Sequence, residues 1–209
     1  VIYLIGGPAR CGKSTLAARV RKEIDGQILA GDAFVHALQE TLKPEWLPDI
    51  YDHDVASVRR MPDNQSKVDR LRRRDEMMWQ FYAAYIRAAT CDTPQDDILL
   101  EGNIWPDFLE LFTQPHKAVF LVDTSTDQAE RLRTIREGNS DNNWMLGFTD
   151  ERLVEWAAFN VERSMRYVAL CQEYGYPYFD IRELGVQGAQ GAAASYLLEK
   201  AYNKDTDRT

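Results

Sequence analysis

Residues 7–14 read GPARCGKS, which fits G-x-x-x-x-G-K-S/T, a spacing that ties the chain to one local geometry. It is a glycine-rich turn with inward-facing backbone N–H groups, opening directly into a helix. The turn needs a strand before it and a helix after it, and both flanks are present. VIYLI, residues 1–5, is short, apolar and β-branched; Leu16, Val20 and Ile24 then recur at helical spacing over residues 13–24. Gly7 and Gly12 allow the turn, Lys13 has the reach for β- and γ-phosphates, and Ser14 offers a hydroxyl to Mg²⁺. The partial positive charge at the start of the helix favours the same anion. Gly7, Pro8, Ala9, Arg10, Cys11, Gly12, Lys13, Ser14 and Thr15 are therefore expected to cradle the phosphates of ATP. A bare glycine linker is the alternative, and chance matches seldom carry both flanks.

The remaining chain alternates in the same way. QILAGD at 27–32, DILLEG at 97–102, AVFLVD at 118–123 and YPYFDI at 176–181 are short apolar runs. Helical stretches are expected at 33–42, 67–89, 127–137, 149–174 and 188–201, with the first helix stopping near Gly26. Five such strands alternating with helices imply α/β architecture: a five-stranded parallel sheet covered on both faces in a three-layer sandwich. At 209 residues we expect a single domain over 1–209, with a helical acceptor-site excursion at about 43–96 and a helical lid at about 131–148.

Composition narrows the function classes. A net charge of −8 disfavours broad binding to nucleic acid, and no apolar run approaches the length that crosses a bilayer. Cys11, Cys91 and Cys171 have no metal-ligand spacing and form an odd set, which fits a reducing cytoplasm. The opening strand is required by the loop, so no cleaved leader is expected within it. Cys11 has two readings: a small residue at a variable loop position, or a thiol activated by the helix N-terminus. A homodimer is left open.

Right-handed crossovers bring the strand ends to one edge, where ligands bind. There the loop meets Asp32 after the second strand and Glu101 after the third. Glu101 ends an apolar strand as a metal-binding carboxylate does, pairing with Ser14 as the expected Mg²⁺ site. Asp32 suits a general base for an acceptor hydroxyl, or an N-cap for the following helix; which carboxylate contacts the metal stays open. His36 lies one turn on from Asp32, facing the acceptor or the solvent.

GGPARCGKST, AGDAFVHAL at 30–38 and LLEGNIWP at 99–106 resemble the small-molecule P-loop kinases. The second segment is similar to chloramphenicol phosphotransferases, and the third looks like 2-phosphoglycerate kinase-like proteins. The resemblance implies a P-loop NTPase fold, ATP and Mg²⁺ as cofactors, a small-molecule hydroxyl acceptor, and Asp32 as base. TSTDQAERLRTIREGNS, after Asp123, resembles an arginine-bearing lid. In it Arg136 and Arg131 are the candidate catalytic arginines, Arg136 slightly ahead because it borders the loop, and Arg133 is a candidate nucleotide contact. A solvated, ion-paired helix face is the alternative. By the same resemblance, residues 182–188 form a loop against the adenine.

The basic run 70–74 cannot face one pocket as a whole; Arg70 and Arg74 share a side if a site exists there. Trp105 either stacks on the acceptor or packs internally. The reading that leads is an ATP-dependent kinase acting on a small-molecule hydroxyl. A nucleoside or nucleoside-monophosphate kinase, a zeta-toxin-like nucleotide-sugar kinase and a non-kinase nucleotide switch are the alternatives.

Overall fold

Side chains along each strand alternate between two apolar layers, and that alternation sets the architecture. In the computed structural model, which describes residues 1–43, 61–92, 96–137 and 145–199, five strands form one sheet in the order β2-β3-β1-β4-β5. They are β1 (Ile2–Gly6), β2 (Gly26–Ala30), β3 (Asp97–Glu101), β4 (His116–Val122) and β5 (Tyr178–Asp180), all paired in parallel. Ile2, Leu4, Ile98, Leu100, Phe120 and Val122 face one way, towards α3 (Asn64–Asp92) and α5 (Asp150–Tyr174). Tyr3, Ile5, Leu99, Val119 and Leu121 face the other, towards α1 (Lys13–Val20) and α6 (Ile181–Leu198). The product is the expected three-layer α/β sandwich. Short α2 (Gly31–Thr41) follows β2, and α4 (Gln128–Glu137) joins Met145, Phe148 and the start of α5 in a third apolar cluster.

Register places the chemistry. Ile5 and Ala30 both pair with Glu101, so β1, β2 and β3 end level with one another, and β1 is central. The phosphate-type loop, Asp32 and Glu101 therefore leave the sheet side by side at its carboxyl edge.

Several boundaries differ from expectation for identifiable reasons. Helix α1 closes at Val20 instead of continuing to residue 24: the next amides bond three residues back, Lys22 to Arg19 and Glu23 to Val20. Gly26 does not end that helix; it begins β2, where an added Cβ would lie 1.9 Å from the Asp97 carbonyl oxygen. The N-cap of α2 is Ala30, with no side-chain cap bond, so Asp32 sits inside the first turn and does not cap it. In the expected loop at 182–188 a short helical piece comes first, opened by Asp180, which accepts from Arg182 N, and a non-helical kink at Gly185 (φ 68°) separates it from the main run of α6. The polar loop at 138–144 of the expected lid, the Pro-rich part of the expected excursion at 44–60, and the tail from 200 lie outside the described residues. Among the described residues no helix is long and apolar enough to cross a membrane.

Burial also settles the cysteine question. Cys11 is 1% exposed in the α1–α6 core, and burial pushes its thiol up to about 11 despite Lys13 and Arg131 nearby; it is not an activated thiol. Cys171 is likewise buried and pushed up to about 12, whereas Cys91 is exposed. A thiol reagent at pH 8 is expected to titrate Cys91 alone in the native protein and all three thiols in denaturant. The unfolded thiols ionise near pH 9 and the two native ones do not. The stability they contribute is fully present below pH 9, where it does not vary with pH, and should fall as pH rises from 9 towards 11.

Candidate active site

The turn after β1 is shaped by side-chain donors that grip its carbonyls, one from its own motif and three from distant helices. Lys13 Nζ donates to Pro8 O (2.7 Å), Asn160 Nδ2 of α5 to Ala9 O (3.0 Å), Arg131 Nη1 of α4 to Arg10 O (2.9 Å) and Gln190 Nε2 of α6 to Gly12 O (3.2 Å). Carbonyls committed to the protein leave the loop's N–H groups for an anion in the cleft. Gly7 (φ 129°), Arg10 (φ 64°) and Gly12 (φ 82°) make the left-handed bends this requires. At Gly7 a Cβ would stand 2.0 Å from the Leu121 carbonyl oxygen in β4. Gly7→Ala should thus lower stability by about 3 kcal/mol, read from urea unfolding, through clash and backbone strain together.

Beyond the loop, Ser14 Oγ donates to Glu101 Oε1 at 3.2 Å. Glu101 is 9% exposed; burial pushes its carboxyl up, while Lys13 and the Ser14 hydroxyl pull it back. Burial pushes the Lys13 ammonium down, and Glu101 opposes that shift. A hydroxyl and a carboxylate are the hard oxygen donors Mg²⁺ takes. Among the described residues no group of three or more His, Cys, Asp or Glu could cage an ion. Phosphate oxygens and water would have to complete its shell, as in a nucleotide-borne Mg²⁺ site. The donor set fits that ion.

Lys13, Ser14, Thr15, Asp32 and Glu101 all line one cleft of about 950 Å³. Asp32 is exposed within it, and its charge bears on both Lys13 and Glu101. His36 lines the same wall.

The three arginines expected of a lid part company. Arg131 faces the cleft, its Nε (2.9 Å) and Nη2 (2.6 Å) on Asp123 Oδ2 while its third nitrogen holds Arg10 O. Asp123, 0% exposed, also accepts from Ser125 N (3.1 Å) and Oγ. Arg133 and Arg136 do not line the cleft. Arg133 pairs with Glu130 (2.7 Å) and Asp150 (3.5 Å), and Arg136 with Asp150 (2.9 Å) and Phe148 O (2.9 Å). Helical geometry accounts for this: positions 133 and 136 share a face, and 131 lies across the helix from 133.

At the far end the cleft is lined by residues that sequence reasoning passed over or left undecided. Arg74 contacts Asp75 Oδ1 through Nε (2.9 Å) and Nη2 (2.6 Å), and the Trp105 indole donates to Asp75 Oδ2 (3.0 Å). Trp105 is fully buried and stacked on Tyr167 (4.1 Å, 15°), so it is packing and not an acceptor platform. Of the pair Arg70 and Arg74, Arg74 reaches the cleft; Arg72 turns to Asp107. Lys67, Asn103 and Arg163 also line it. A helical arginine such as Arg163 carries no motif; only its neighbourhood of apolar positions in α5 hints at burial.

No protein-family model matches this chain, and a sequence search of curated proteins finds no match. Solved structures match in fold. The shikimate kinase of Bacteroides thetaiotaomicron superposes with a TM-score of 0.53 at 14% identity, covering 93% of this chain and 94% of that one. The shikimate kinase of Acinetobacter baumannii, in complex with shikimate, gives 0.48 at 13% identity, covering 93% and 90%. A deoxyadenosine kinase from M. mycoides gives 0.40 at 15% identity, covering 92% and 96%. At 14% identity the likeness to the first of these is one of fold alone, and that fold is P-loop kinase-like.

Proposed function

We propose that this chain, with its P-loop kinase-like fold, transfers the γ-phosphoryl of ATP to a hydroxyl of a small molecule. The observation that carries this reading is Asp32: an exposed carboxylate, uncommitted to capping, in the same cleft as Lys13 and the Ser14–Glu101 pair. A protein that only binds or slowly hydrolyses nucleotide has no need of such a base.

In the proposed reaction the acceptor O–H gives its proton to Asp32 as its oxygen bonds to the γ-phosphorus. The bridging P–O bond breaks, and ADP leaves with the electron pair. The loop N–H groups orient the phosphates, and Lys13 offsets charge that builds on them. Arg131 stands over the same cleft, aimed by Asp123 and tied to the loop through Arg10 O, so that its guanidinium is held ready for a phosphate. Mg²⁺ held at Ser14 and Glu101 would neutralise the β- and γ-oxygens.

The test is ADP release by purified protein with Mg²⁺-ATP against sugars, hydroxy acids including shikimate, nucleosides, nucleoside monophosphates, nucleotide sugars and hydroxylated antibiotics. Stimulation by one class supports the reading and names the acceptor. ATP binding with no stimulation by any class would move the assignment to a nucleotide switch.

A further inference from the structure

Arg163 is an unusual group to find in the wall of a cleft. Its side chain is 2% exposed, a depth at which a charge is stable only when closely paired. Its pairing is poor. Asp75, equally buried, is already engaged by Arg74 on one oxygen and by the Trp105 indole on the other. Arg163 Nη2 stands 3.7 Å from that second oxygen and 3.5 Å from Asn103 Oδ1, both beyond a normal N–H···O length, and its Nε donates to nothing among the described residues. The guanidinium is nonetheless fixed, with the rings of Trp105 and Phe159 at 5.9 and 5.7 Å. A rigid guanidinium that lines the cleft beside the buried Tyr167, weakly paired and with Nε unpartnered among the described residues, is a group that a planar or tetrahedral oxyanion fits.

We propose that Arg163, supported by Arg74 and Lys67 on the facing helix, binds an anionic group of the acceptor. The acceptor class is then a hydroxy acid or a phosphorylated polyol, not a neutral sugar or nucleoside. The inference rests on the kinase reading for the word acceptor, but the anion site itself does not. Asn103 follows Glu101 by two residues, a chain reach of about 7 Å. The anion site and the phosphoryl end of the cleft are thus one small molecule apart. In such a substrate, the oxyanion anchors on Arg163 while a hydroxyl at the other end meets Asp32.

Two arms test this. In the first, the P-loop is filled with a non-hydrolysable ATP analogue, and malonate and methylphosphonate, which lack a hydroxyl, are added to the wild-type protein, Arg163→Lys and Arg163→Gln. Near saturation the preferred anion should raise the melting temperature by roughly 5 °C. The shift should shrink in Arg163→Lys, which keeps charge but loses the fork, and vanish in Arg163→Gln. Whichever probe acts tells carboxylate from phosphate. If Arg163→Gln does not fold, Lys67→Gln serves, with an expected loss of affinity of about threefold to tenfold. In the second arm, ADP release is compared between each hydroxy acid and its methyl ester, and each sugar phosphate and its parent sugar. The charged member should win by about 10- to 100-fold in kcat/KM.

An absence of any shift in the wild type, or an equal shift in Arg163→Gln, overturns the anion site. Turnover of a neutral acceptor without an anion effect overturns it too, and leaves the kinase reading standing. Anion binding that depends on Arg163, with no ADP release from any compound, keeps the site and removes the kinase reading.

Discussion

Asp32→Asn should lower acceptor-dependent ADP release by about 10²- to 10⁴-fold, the range lost when a positioned general base is removed. The substitution keeps size and shape, and Asp32 is exposed and caps nothing, so stability should move by no more than about 0.5 kcal/mol. ATP affinity should hold or improve slightly, because a negative charge leaves the surroundings of the bound phosphates. The measurement is steady-state kcat with the acceptor found by the panel, beside ATP binding by titration. An unchanged kcat would mean that the proton leaves by another route. Slow hydrolysis indifferent to the change would favour the switch.

Lys13→Ala has the second largest expected effect. It deletes a cation at the phosphates and the bond to Pro8 O that helps hold the loop. Turnover should fall by about 10²- to 10³-fold, and the Kd for ATP should rise by about 10-fold or more. Arginine should not rescue it, since a broad planar fork does not replace a compact ammonium. Burial pushes the Lys13 ammonium below its ordinary value, with Glu101, Cys11 and Asp32 opposing. Its lost charge should therefore weaken ATP binding as pH rises, at a lower pH than an ordinary lysine would show. Burying this cation costs free energy that bound phosphates offset. ATP should accordingly raise the melting temperature of the wild type by more than that of Lys13→Ala.

Much of this was legible in the residues, because the features that could be read are local. A phosphate-type loop, its flanking strand and helix, and apolar runs ending in Asp or Glu are written in consecutive residues; from them came the sheet and the positions of Asp32 and Glu101. What escaped depends on distant partners. Gly26 reads as a helix stop until Asp97 is seen to press against it. Arg136 borders the lid loop and looked the better catalytic arginine, yet Asp150 at the start of α5 claims it, while buried Asp123 directs Arg131 to the cleft. Asn160, Arg163 and Gln190 are lone polar residues on helices, a pattern that ordinarily means solvent. Each instead faces the loop or the cleft.

The grip on the loop's carbonyls has a consequence for the order in which the protein comes into being. Lys13 adjoins residues 8–12, but the other three side chains that fix them come from positions 131, 160 and 190, well downstream in the chain. A chain still emerging from the ribosome carries the whole loop sequence and Lys13 without the three distant donors that complete its shape. Competence to hold the proposed nucleotide thus waits on the docking of α6, and no truncated product that lacks that helix should capture ATP as the protein with it does.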